Sequence, residues 1–134
     1  MTSITFVQEQ KEELLKRLDL YFKKSESKMT RERYLKMCEQ LGKEPDENEI
    51  PPDWEDFPEI AVQAINTFSS LGDRIYPDIG YMGKDFTNLP YYIEVHGIKD
   101  TELFLEILTY LESRAIGTSQ EQLKRERDKL KRKR

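Results

Sequence analysis

The chain has little of the raw material from which most reactive centres are built. Cys38 is the only cysteine and His96 the only histidine in 134 residues. A single thiol excludes an internal disulfide and any CxxC zinc site. A single imidazole leaves any Ser-His-Asp or Cys-His arrangement resting on one ring, and a metal site would need ligands that are all oxygen. No apolar run approaches the length that spans a bilayer. The opening "MTSITFVQEQKEE" lacks the basic start and apolar centre of an export signal. The expectation is therefore a reducing, cytoplasmic setting with no membrane association, no metal and no cofactor.

What is present is charge and aromatic surface. Hydrophobic residues make up 37% and charged residues 36%, but Phe, Tyr and Trp reach 10%, too aromatic for a disordered chain. A compact helical centre is expected, and the length suits one domain. The charge is divided. Residues 121–134 carry eight basic against three acidic side chains, +5, while the first 120 carry fourteen against twenty-three, −9. An acidic body with a basic tail reads as an interaction protein.

Helical periodicity runs through most of the sequence. Residues 4–27 place Val7, Leu14, Leu15, Leu18, Tyr21 and Phe22 on one face. A second helix over 31–41 is capped by Thr30 and stopped by Gly42, with Tyr34, Leu35, Cys38 and Leu41 apolar. "KEPDENEIPPDWEDFP" follows, an irregular connector over 43–57 whose prolines forbid a regular element. Eight acidic side chains lie between Glu44 and Glu59, and Ile50, Trp54 and Phe57 are positioned to pin the segment to the body. Pro58 opens a helix with Ile60, Ala61, Ala64, Ile65, Phe68 and Leu71 in a stripe, ending at Gly72. For residues 89–97, a short helix capped by Thr87 and closed by Gly97 competes with a strand, because "YYIEV" is β-branched and aromatic. Asp100 caps the strongest helix, with Leu103, Phe104, Ile107, Leu108, Leu111 and Ala115 at spacings of three and four. Gly117 is expected to interrupt it, and Thr118 with Glu121 to restart a helical extension as a capping box. The fold class is then all-α: about five helices in a single domain over 1–117, with a basic helical extension over 118–134.

"IGYMGKDFTNLP", residues 79–90, looks most like a site. A phosphate loop needs a buried strand before it, glycines that bare successive amides at a wider spacing, then lysine and a hydroxyl. Here Asp85 follows Lys84, Pro77 and Asp78 stand where a strand would be, and Gly80 and Gly83 are too close together. The segment reads as a turn with Tyr81, Met82 and Phe86 packed inward. The acidic connector fails as a calcium loop, since Pro51 stands at the glycine position and Phe57 at the bidentate-carboxylate position. His96 reads as a charge at a helix end, Cys38 as a small core residue, and Asp73 and Arg74 as a weak surface pair. No catalytic set emerges, and an enzyme is not expected.

Two surfaces remain. The acidic connector, with Trp54 and Phe57 as anchors beside Asp53, Glu55 and Asp56, is suited to a protein partner. The tail, with Lys124, Arg125, Arg127, Lys129, Lys131, Arg132, Lys133 and Arg134, suits either acidic protein surfaces or nucleic-acid phosphates. No aromatic residues interleave those cations.

"ERYLKMCEQLGKEPDENEIPPDWEDFP", "INTFSSLGDR" and "IGYMGKDFTNLP" resemble a group of small proteins of tailed bacteriophages, over roughly residues 30–115. The resemblance implies a viral protein in the host bacterial cytoplasm, serving tail or virion assembly much as a small helical assembly chaperone does. Its partner would be a phage structural or assembly protein. No functional residue is carried over from that group.

Overall fold

The computed structural model describes residues 8–132. Positions 4–7 of the first expected helix, Val7 among them, and Lys133 and Arg134 lie outside the described residues. Over the described residues the chain is predominantly helical, as its periodicity predicts, with five α-helices and one two-stranded hairpin. It packs as two compact units that meet in sequence between Pro58 and Glu59.

The N-terminal unit holds α1 (Gln8–Glu26) and α2 (Arg31–Leu41), followed by the connector. Leu14 and Leu18 are buried along α1 with Lys11, at the spacing of one helical face. The hydroxyl of Thr30 accepts from the Arg33 N–H at 3.2 Å, and Gly42 closes α2 in a left-handed conformation, φ 64°. Both ends of α2 therefore fall where the capping residues put them. Tyr34 and Cys38 are buried on its inner face, whereas Leu35 and Leu41 are exposed, so the apolar face is narrower than its sequence suggests.

The C-terminal unit is built on α5 (Thr101–Arg132), against which α3 (Glu59–Ser70) and the hairpin pack, with α4 (Leu89–His96) beside α3. Asp100 caps α5 through the Leu103 N–H at 3.0 Å. Leu103, Phe104, Ile107, Leu108 and Leu111 are buried along its first half, each contributing about 1.5–3 kcal/mol by burial. Facing them, α3 offers small residues, Ala61 and Ala64, with Thr67. Residues 89–97 resolve as helix rather than strand: Pro90 sits in the first turn and Gly97 closes it, φ 61°. Thr87 does not act as the cap; its hydroxyl and N–H both donate to the Asp85 carboxylate.

The segment over 79–90, expected to be a turn, instead begins with a strand that pairs with residues 73–76. β1 (Asp73–Tyr76) and β2 (Gly80–Lys84) pair antiparallel, with Asp73 opposite Lys84, Ile75 opposite Tyr81 and Tyr76 opposite Gly80. Pro77 and Asp78 form the bend: Asp78 has φ 68°, and Ile79 N–H donates to Tyr76 O at 3.3 Å. Proline followed by a left-handed residue is the pattern of a type II turn. Met82 is 42% exposed rather than packed inward.

A second departure is at Gly117, which does not interrupt α5; the helix is continuous for 32 residues and the boundary expected at 117 is absent from it. The penalty of one helical glycine, about 1 kcal/mol, is too small to break a helix anchored by five buried side chains. A Cβ at Gly117 would meet nothing within 4 Å. Gly117→Ala should therefore stabilise the protein by about 0.5–1 kcal/mol in urea denaturation; destabilisation would mean that the helix is broken there.

Candidate functional site

In the N-terminal unit the acidic connector is folded back onto basic residues of its own helices. The Arg31 guanidinium donates to the Asp56 carboxylate, lies 3.1 Å from Asp53, and donates to the Pro51 carbonyl at 3.4 Å. Lys24 pairs with Glu49 at 3.1 Å, and the Tyr34 hydroxyl accepts from the Asp46 N–H at 3.2 Å. Asp56 also accepts from the Asp53 N–H at 3.0 Å, closing a single 3-10 turn over Trp54–Asp56. That bond, more than the neighbouring Arg31, holds its carboxyl below the ordinary 3.8.

The connector's aromatics divide. Phe57 is buried and meets Tyr21 edge-on at 5.5 Å. It is a core residue that pins the connector, one of the two roles expected of it, and its burial leaves little of it to anchor a partner. Trp54 stays 37% exposed, 6.0 Å from Tyr21, on the rim of a groove of about 420 Å³. Tyr21, Lys24, Lys28, Arg31 and Pro51 line the same groove. Of the acidic residues expected to meet a partner, Asp53 and Asp56 face Arg31, while Glu55 is exposed.

In the C-terminal unit the lysine of the glycine-containing segment points into protein. Lys84 is buried, its ammonium 2.7 Å from Asp73 Oδ1, 3.2 Å from the Leu71 carbonyl and 4.8 Å from the centre of the Phe68 ring. Its N–H donates to Glu112 Oε1 at 3.0 Å. A Cβ at Gly83, φ 109°, would collide with the Glu112 carboxylate, and one at Gly80 would stand 2.8 Å from Leu123 Cδ1. These glycines admit α5, not a phosphate. Asp73, expected in a weak surface pair with Arg74, instead serves Lys84, while Arg74 lies over the Tyr76 ring at 5.9 Å. The Tyr81 hydroxyl is buried without a hydrogen-bond partner, and burial raises its pKa.

The remaining candidates lie apart in role. Cys38 is buried; His96 is exposed at the last turn of α4, stacked on Tyr92 at 6.5 Å. Lys124, Arg125, Arg127, Lys129, Lys131 and Arg132 are all exposed on α5 and helical. The sequence reading missed the exposed apolar edge of the hairpin, Ile75, Tyr76 and Ile79 with Met82; four large apolar residues within eight positions were its only signal. Among the described residues no helix is long and apolar enough to cross a membrane. No family model, curated protein or solved structure matches the chain.

Two outcomes follow from this geometry. Because the folded pKa of Asp56 is lowered, its stabilising contribution is complete above the ordinary 3.8 and is lost as pH falls through the folded value. Trp54, the only tryptophan, reports on that turn. Its emission should change on acidification below the ordinary carboxylate range, and Asp56→Asn should flatten the change; an identical acid profile in the variant would contradict the assignment. Gly83→Ala should cost about 1–3 kcal/mol in chemical denaturation. Adding Glu112→Ala should return only part of that loss, since the backbone strain remains.

Proposed function

We propose that this is a non-enzymatic accessory protein that acts by contact with other proteins, of the kind that assists tail or virion assembly in a tailed phage, in the host cytoplasm. The observation that carries the reading is Trp54. A half-exposed indole stands on the rim of a groove whose walls are already held by ion pairs of Arg31 and Lys24. Tryptophan in a preorganised concave site is the side chain that most often dominates a protein interface.

Further support comes from how the reactive groups are used. Lys84 holds the hairpin, Asp85 anchors Thr87, and Cys38 is buried in α2. Glu44, Glu47 and Glu55 are exposed and make no ion pair among the described residues, so they are available to a basic rim around a partner's apolar anchor. A phage structural or assembly protein is the partner this reading expects.

Full-length protein recovered from infected cells should carry a viral structural protein. Trp54→Ala should reduce that recovery by about 30-fold in affinity, the effect of losing a 2 kcal/mol anchor, while leaving the fold intact. Recovery of no viral structural protein at any stage of infection would refute the reading. So would undiminished capture by the variant.

A further inference from the structure

The end of α5 carries a pattern that the groove does not explain. From Lys124 to Arg132 every residue is exposed, and the helix is continuous. Its six cations fall into two rows. Lys124, Arg127 and Lys131 are spaced by three and four, and Arg125, Lys129 and Arg132 by four and three. Each spacing aligns its members on one helix face. At 100° per residue the rows lie about 130° apart around the axis, and each extends about 10 Å along it.

None of the six forms an ion pair with a described residue, although Glu121, Glu126 and Asp128 share the same helix. In the connector, by contrast, three acids, Glu49, Asp53 and Asp56, are held by Lys24 and Arg31, while Glu44, Glu47 and Glu55 make no ion pair among the described residues. The end of α5 is thus a run of six cations without ion-pair partners among the described residues, on one continuous helix.

We infer that this end of α5 binds the phosphate backbone of double-stranded nucleic acid without reading its sequence. The two rows decide the partner class. A single acidic protein face would engage one row and leave the other in water. A duplex groove presents phosphates on two walls, and a helix lying in it meets both rows at once. Membrane binding would need an apolar face to insert, and Leu130 is the only apolar residue between 124 and 132. The sector between the rows holds Asp128, not an amide or guanidinium that would read base edges, so the contact is to the backbone alone.

The inference is independent of the groove. Full-length protein is titrated onto a fluorescent DNA duplex of arbitrary sequence. Affinity should fall by about a thousand-fold between about 50 and 200 mM salt, as expected for roughly six displaced counterions. Lys124→Gln, Arg127→Gln and Lys131→Gln together, or Arg125→Gln, Lys129→Gln and Arg132→Gln together, should each reduce that fall to about 40-fold. All six substitutions should abolish binding, and Trp54→Ala should leave it unchanged. Glutamine preserves helix propensity, so circular dichroism should match throughout. Failure of the wild-type protein to bind at the lowest salt would overturn the inference. So would binding carried wholly by one row, or tighter binding to polyglutamate than to the duplex. None of these results bears on the Trp54 contact.

Discussion

The Lys84 ammonium sets the arrangement of the C-terminal unit. A lysine this far from water costs several kcal/mol unless its donors are met. Here Asp73, the Leu71 carbonyl and the Phe68 ring meet them. Asp73 is still half open to solvent, so the Coulombic gain is modest and the bonds matter chiefly because breaking them would strand a buried charge. Lys84 lies opposite Asp73 at the open end of the hairpin, across a register irregularity between Asp73 and Ile75; a slip by one residue there would turn the ammonium to the other face. Its own N–H then falls on Glu112, which draws β2 onto α5 so closely that only glycine fits at position 83. Lys84 thereby ties the hairpin together through its ammonium and to the long helix through its backbone N–H, and Gly83 is the residue that this close approach admits.

Arg31 plays the corresponding part in the N-terminal unit, but at the surface. Its guanidinium donates to the Pro51 carbonyl and the Asp56 carboxylate and forms an ion pair with Asp53, and it turns a proline-rich acidic segment into an ordered strap. Planar guanidinium geometry suits this role better than a lysine would, since several acceptors are met by one rigid fork. Exposed pairs of this kind add little stability singly. Their effect is to fix where Trp54 stands, and the groove owes its shape to that.

How much of this was legible follows from what kind of interaction set each feature. Local interactions read well: Thr30 and Gly42 bound α2, Asp100 begins α5, and the α3 and α5 stripes mark buried faces, all within a few residues' reach. The hairpin did not read, because its four- and five-residue strands lack alternation and are held by Lys84 and Glu112 from outside the segment. Trp54 and Phe57, three residues apart in the same acidic context, are equivalent in sequence; both stand beside Tyr21 in the folded unit, yet one is buried and the other stays at the rim. Gly117 misled for a related reason. Its low propensity is a local property, while the helix is carried through it by packing on the preceding turns.

The same distinction alters the meaning of the charge asymmetry. Summed by sequence, an acidic body opposes a basic tail as two poles of similar kind. In the structure they are not of one kind, because the connector's carboxylates are partly neutralised by Lys24 and Arg31 while the tail's cations are not. A charge already paired contributes to internal geometry and little to the field a partner meets; an unpaired one on a rigid helix contributes nearly all of its potential outward. Net charge alone would assign recognition to the acidic segment, which holds more residues. On the proposed readings, the segment would offer a shaped apolar contact at Trp54 beside the unpaired Glu44, Glu47 and Glu55, and the cations of α5 would supply long-range attraction. The two proposed surfaces would then differ in physics as well as in sign: salt would weaken a contact carried by unpaired charge on α5 far more than one carried by apolar burial at Trp54.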